Sequence, residues 1–448
     1  MTASAYDHPR GRVSTAYVRL RARPLVALAL VCLVSTAVRL AWLPAPCHEP
    51  CRTGTQHVLI FDEVYYVNAA RVIAGIRPPA GSNYGLAPLG DDPNGEHPQL
   101  AKLIMAGSIE LLGDNPWGWR IPSILLGTVA LLGMFALVRG IGGRPWLAVG
   151  ATALMASDNL LLVHSRIGTL DVFTVAAMLW GVALYVRGRW LLAGATIGVA
   201  MCTKLVGGDA LLVLAALEAL EALALWHDRQ RVVARLGRLA GCVVASAGVF
   251  VGLVALLDRI APPYDDANRT LIGSGVFGHI QHMLSYADSL TSPQGPQGIA
   301  SYPIGWLVDY KPIPYLVVVP EHPSADLHNV HPAVHFLGLI GPPLLVAALP
   351  GLALAVVWLV RRRLRAELSI PQLIVAWFAG TFLPFFLASA ALSRTSYLYY
   401  MVIVMPSLYL AAVWLAERLW HRRRLVGAWI GLVAVGAVIA YPLTPLPF

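Results

Sequence analysis

Two adjacent carboxylates, Asp62 and Glu63, follow the apolar tetrad Val58-Leu59-Ile60-Phe61 and open a helix-compatible run that reaches Ala74 and stops at Gly75. Neighbours on a helix point about 100° apart. The pair therefore cannot converge on one substrate atom: one acid can act as a base while the other orients it. A carboxylate held against Phe61 and Tyr65 at a lipid surface is partly desolvated, which raises its pKa and suits it to general-base work near neutral pH. The plainer use of the same two acids is to cap the helix through its dipole.

A second group, Glu96-His97-Pro98-Gln99-Leu100-Ala101-Lys102, sets an imidazole at a helix start and an ammonium one turn later. Three further breaks between apolar runs each carry a cation: Arg166 in His164-Ser165-Arg166-Ile167-Gly168-Thr169-Leu170-Asp171, Lys204 in Cys202-Thr203-Lys204-Leu205-Val206-Gly207-Gly208-Asp209, and Arg394 in Ser393-Arg394-Thr395-Ser396-Tyr397-Leu398-Tyr399-Tyr400. Each alone fits a snorkelling side chain. Together at one depth, with Asp171 and Asp209 to hold them, they fit a pocket for a membrane-embedded phosphate.

The elements that must position these groups are membrane helices. Of the 448 residues 57% are hydrophobic and 13% charged, about half the charge of a soluble chain. A soluble enzyme is excluded. The apolar runs are continuous, which excludes a membrane β-barrel of alternating strands. No repeat of solenoid period and no Gly-rich nucleotide loop is present. Windows of about 19 residues predict an all-α polytopic membrane protein with eleven spans, near 24–43, 116–138, 146–163, 169–186, 190–204, 206–226, 239–258, 335–360, 370–390, 397–416 and 425–442.

Residues 1–23 read as a basic cytoplasmic tail ahead of a retained signal anchor, and 24–448 as one transmembrane domain. With that tail inside, inner segments hold 21 of the 33 Lys and Arg, and 18 of the 24 Asp and Glu fall outside. This is the positive-inside bias. It leaves the polar segments 44–115 and 259–334 on the outer side, with amphipathic surface helices expected in the first. Cys47 and Cys51 lie there too, where a disulfide is the usual outcome; free thiols and a zinc site with His48 and Glu49 stay open. Asp62, Glu63, Asp91, Asp92 and Glu96 offer oxygens for Mg²⁺ or Mn²⁺, although the cations above can do the same electrostatic work and a metal-free site is preferred.

The ordered pieces FDEVYY, EHPQLAKL, HSRIGTLD and TKLVGG, followed by SYPIGW and RTSYLYYMVIVMPSL, resemble the protein O-mannosyltransferase family and its bacterial relatives, the lipid-carrier-dependent glycosyltransferases of the GT-C membrane fold. They span about residues 25–420. The resemblance implies transfer of a sugar, usually mannose, from a polyprenyl-phosphate carrier to a hydroxyl on the outer face, with protein Ser or Thr the favoured acceptor. It implies that Asp62 or Glu63 supplies the catalytic carboxylate and that Arg166 lies near the donor phosphate, with Asp171 as its structural partner. Lys204, Arg394, His97 and Lys102 are expected to bind phosphate or sugar. The family's His-Pro-Pro-Leu-Gly-Lys box reads His-Pro-Gln-Leu-Ala-Lys here, its Lys-Trp-x-Gly reads Lys204-Leu205-Val206-Gly207, and the large luminal module of eukaryotic members is absent from this sequence. The expected reaction is a single inverting displacement needing no nucleotide at the site. The competing class is a transporter or flippase that uses the same cations to bind a lipid-linked or anionic substrate; it lacks the repeated halves that many transporters show.

Overall fold

The computed structural model of the chain describes residues 23–47, 53–318, 334–361 and 368–443. The predicted basic tail, apart from Arg23, and Cys51 with its neighbours His48 and Glu49 lie outside the described residues. Each of the eleven predicted spans contains helix: α1 Pro24–Leu40; then, beyond the first outer segment with its helices α2 Glu63–Ile73 and α3 Leu100–Leu112, α4 Pro116–Gly140; α5 Pro145–Ser157 with α6 Asn159–His164; α7 Asp171–Tyr185; α8 Trp190–Thr203; α9 Asp209–Ala224; and α10 Arg229–Ile260. The second outer segment contributes the hairpin β1 Tyr264–Asp265 and β2 Thr270–Leu271, the helices α11 Gly275–Ser289 and α12 Pro303–Trp306, and a second hairpin, β3 Ile313–Val318 with β4 Val334–Gly338. The bundle closes with α13 Pro342–Arg361, α14 Ile370–Leu392, α15 Met401–Arg418 and α16 Arg423–Ile439.

Among the described residues, five helices are long and apolar enough to cross a bilayer, and four further apolar helices have 10–17 residues. The exterior is apolar as lipid requires: Leu25, Leu30 and Leu33 on α1 and Val233, Val244 and Leu256 on α10 are large exposed hydrophobics. The core lies where α4, α7 and α8 pack in sequence, α10 covers α8, and α15 runs buried between α13, α14 and α5.

Two boundaries differ from the sequence reading. The span expected at 335–360 begins at Pro342, because 334–338 pairs as β4 with β3. The span expected at 146–163 is broken at Asp158, whose carboxylate accepts from Leu161 N (3.4 Å), Gly341 N (3.3 Å) and the Tyr409 hydroxyl (2.7 Å). These bonds offer the backbone an N-cap in place of helix continuation. The first outer segment also differs: α2 is no surface helix, since Glu63 and Tyr66–Val72 are all buried.

Candidate active site

The start of α2 is fixed from below. Glu63 is fully buried and holds Arg120 of α4 through two bonds, Oε1 to Nε at 2.9 Å and Oε2 to Nη2 at 2.8 Å. Its oxygens also accept from Gly168 N (2.7 Å) and Ile60 N (2.8 Å). Arg120 in turn donates to the carbonyls of Leu43, Ala45 and Val58. A buried ion pair stands only when its remaining donors and acceptors are satisfied, and here they are. Arg71 adds a second tie to Asp114 at 2.8 Å, while Trp119 donates to the same carboxylate oxygen.

The chain then turns through Phe61 at φ +54°, a conformation uncommon for a bulky residue. Asp62 follows at the N-cap position of α2 without capping it. Adjacent in sequence, the two acids diverge: Glu63 points into the scaffold, and Asp62 is half-buried, with a carboxylate that makes no hydrogen bond or ion pair among the described residues. Burial holds the Asp62 carboxyl up at about 7, against the pull of Lys204 and with a push from Asp171.

Asp171 occupies the first turn of α7, and Lys204 follows the last residue of α8. These are the helix ends where an anion and a cation are respectively favoured. They pair at 2.8 Å. The Lys204 ammonium lies 5.3 Å and 5.7 Å from the ring centres of Tyr399 and Tyr400, so aromatic faces and one carboxylate hold it within electrostatic reach of Asp62. His97 closes another side, its ring 5.9 Å from those of Tyr66 and Tyr286. Burial first, then Lys204 and Lys102, depress the His97 imidazole to about 3. It is neutral at every working pH and makes no side-chain hydrogen bond among the described residues. Arg394 stands at the rim, within electrostatic reach of Tyr397 and Tyr400; one of its nitrogens donates to the Ala287 carbonyl.

Two of the expected phosphate ligands are committed elsewhere. Lys102 is fully buried; its ammonium pairs with the Asp92 carboxylate at 2.5 Å and donates to Asn94 O at 2.5 Å, Asn94 Oδ1 at 3.4 Å and His97 O at 2.9 Å. Three donors have three acceptors, so Lys102 braces the loop that carries His97. Arg166 donates to Val38 O, Arg39 O, Trp42 O and the Tyr441 hydroxyl. It caps the end of α1, as a cation at a helix C-terminus does, touches neither Asp62 nor Lys204, and leaves only Nε without a partner. Asp171 accordingly supports Lys204 rather than Arg166. Among the described residues Asp209 holds no cation, and its Oδ2 is buried without a hydrogen-bond partner.

The acids offered to a metal are dispersed in the same way: Glu63 on Arg120, Asp92 on Lys102, Glu96 on Asn94. Among the described residues, no three His, Cys, Asp or Glu side chains are grouped to hold a metal ion. Cys47 is disulfide-bonded, while Cys32, Cys202 and Cys242 are free thiols.

Residues that motif reading passed over are Arg120 and Tyr315. Arg120 had a signal, a cation near the head of an apolar run that needs a buried anion. Tyr315 had none: its ring meets Phe61 from a segment far away in sequence, stacked at 4.0 Å, and Phe61 in turn stands edge-on to Tyr399 at 5.4 Å. Chemically, the site combines a free carboxylate poised to take a proton, a cation facing it and an aromatic wall. That suits displacement at a carbon bearing an anionic leaving group.

Comparison with known proteins agrees. Residues 96–254 match the model of the dolichyl-phosphate-mannose-protein mannosyltransferase family. A polyprenol-phosphate-mannose–protein mannosyltransferase of Corynebacterium glutamicum is 35% identical over 123 residues, 26% of this chain and 22% of that protein. Its namesake in Mycolicibacterium smegmatis is 25% identical over 89% of this chain and 86% of its own length. Among solved structures, the donor-bound protein O-mannosyltransferase complex of S. cerevisiae superposes with TM-score 0.66 at 12% identity, over 94% of this chain and 90% of that one, which shows the GT-C fold.

Proposed function

Because the chain belongs to the protein O-mannosyltransferase family, we propose that it transfers mannose from a polyprenyl-phosphate carrier to a Ser or Thr hydroxyl of a protein, with Asp62 as general base. The reading rests on one observation above the others: a half-buried carboxylate whose oxygens have no partner among the described residues, within electrostatic reach of a cation that is itself held in place. Transport, the other class weighed on sequence, finds no support, since the curated relatives are transferases.

The acceptor oxygen attacks the anomeric carbon, the bond from that carbon to the phosphate oxygen breaks, and the carrier leaves as a phosphate monoester. The acceptor's proton passes to Asp62. Lys204 and Arg394 offset charge on the departing phosphate, where low dielectric strengthens such contacts. Neutral His97 offers the sugar or phosphate a hydrogen bond without adding charge. Glu63 holds Arg120 and fixes the turn that aims Asp62. Lys102 and Arg166 are positioning residues, the first for the His97 loop and the second for the end of α1. The protein is a multi-pass membrane protein, and the charge bias of its loops supports an inward N-terminus and an outward-facing site.

The test is purified protein in detergent with polyprenyl-phosphate mannose and Ser/Thr peptides, read by mass spectrometry for added hexose. Absence of transfer from the wild-type protein across donors and peptides would overturn the reading.

A further inference from the structure

The register of the β3–β4 hairpin slips by one residue between Pro314 and Leu316. Tyr315 is therefore the extra residue of a β-bulge, a device that re-aims a side chain. Its ring lies against Gly338 of the opposite strand, where a β-carbon would stand 2.4 Å from the tyrosine hydroxyl and 2.6 Å from Cζ. Gly338 does not have a positive φ, so space, not backbone conformation, demands glycine. The hairpin is itself anchored, through Asn159 Nδ2 donating to Leu337 O at 2.8 Å.

From that seat Tyr315 reaches two parts of the site. Its ring stacks on Phe61 at 4.0 Å with 19° between planes, bracing the positive-φ residue directly before Asp62. Its hydroxyl lies 2.8 Å from His164 Nε2. The other nitrogen, Nδ1, faces Thr169 Oγ1 at 3.3 Å and Asp171 Oδ2 at 3.5 Å, and Asp171 Oδ1 holds Lys204 at 2.8 Å. Thr169 Oγ1 spends its own proton on the His164 carbonyl at 3.4 Å, so it accepts from Nδ1–H and Nε2 accepts from the tyrosine; Asp171 Oδ2 faces the same nitrogen without a hydrogen bond of its own.

We propose that Tyr315 is a positioning residue that sets the base in register with the phosphate-binding cation: its ring seats Phe61 and hence Asp62, and its hydroxyl orients His164 against the carboxylate that holds Lys204. This deepens the transferase reading and rests on it, but the two fail differently. The second outer segment, which already sets Tyr286 beside His97, thereby contributes a second ring to the site.

The variants are Tyr315→Phe, which keeps the stack and drops the hydroxyl, Tyr315→Leu, which drops both, and Gly338→Ala, which displaces the ring without touching the site. The readouts are kcat, donor KM, the pH profile and, independently of turnover, the Kd for polyprenyl phosphate. Tyr315→Phe should raise donor KM and Kd roughly fivefold, the worth of one hydrogen bond, with kcat within about twofold. Tyr315→Leu and Gly338→Ala should lower kcat by roughly tenfold or more and move the acidic inflection below about 7 as water reaches Asp62. The inference is overturned if all three variants keep wild-type Kd, or if losses follow only the amount of folded protein recovered. If the wild-type protein binds polyprenyl phosphate but transfers nothing, the transferase reading falls while the Kd series still tests the Tyr315–His164–Asp171–Lys204 chain.

Discussion

Neutralising Asp62 and neutralising Glu63, one residue apart, should give opposite phenotypes. Asp62→Asn keeps the side chain's shape and removes its ability to take a proton. The expected loss is the usual general-base contribution, roughly 10²- to 10⁴-fold in kcat, or about 3–5 kcal/mol on the barrier. Stability should move the other way. Burial raises the Asp62 carboxyl from 3.8 to about 7, so the folded state binds this proton more tightly than the unfolded chain does. Its contribution to stability is full below pH 4 and is lost as pH rises through 7. At pH 8 the charged form burdens the fold, and Asn, lacking that charge, should melt at the same temperature or higher. Glu63→Gln instead leaves Arg120 buried beside a neutral amide and weakens the bonds to Gly168 N and Ile60 N. Breaking a buried pair costs about 3–5 kcal/mol, so its melting temperature should fall by several degrees. Initial rates of hexose transfer at saturating donor and thermal melts in the same detergent decide the matter. Asp62→Asn retaining more than about a tenth of the rate, or melting as low as Glu63→Gln, would refute this division of labour.

For the wild-type enzyme, kcat/KM should rise with pH and level off with an inflection near 7, since only ionised Asp62 accepts the proton; a flat profile between pH 5 and 8 would contradict it. No second inflection should come from His97, which burial and the nearby lysines keep neutral. Lys204→Met should raise donor KM by roughly tenfold or more through loss of the phosphate's cation, partly relieved in the Lys204→Met/Asp171→Asn double variant, whereas Lys102→Met should act first on stability because Asp92 is left buried and unpaired. Arg166→Ala should lower the melting temperature with donor KM held within about threefold, because its bonds run to α1 and Tyr441; a large KM effect would return Arg166 to the phosphate.

What the sequence discloses and withholds follows from how each feature is encoded. Lipid demands uninterrupted apolarity, so all eleven runs are legible and each contains helix. The carboxylate pair is legible because charge beside apolar residues is costly. Which acid does chemistry is not, because the answer lies in Arg120, 57 positions away, and in the backbone amide of Gly168. The same holds for the cations. A Lys in a motif shows its charge but not its acceptors, and the acceptors of Lys102 are largely the carbonyls of Asn94 and His97. Arg166 reads as a phosphate ligand in its motif, whereas the end of α1 and Tyr441, 275 residues downstream, take all its donors but Nε. The criterion that sorts these residues is residual valence. Lys102 has every donor matched and Glu63 accepts four hydrogen bonds, whereas Asp62 and the His97 ring have polar atoms to spare and Arg394 has guanidinium donors beyond its single bond. A polar group left unmatched at the edge of water lowers the stability of the resting protein, so its persistence points to a partner that arrives with the substrate. On that ground the residues to vary for catalysis are those with capacity left over, and the residues to vary for folding are those without it.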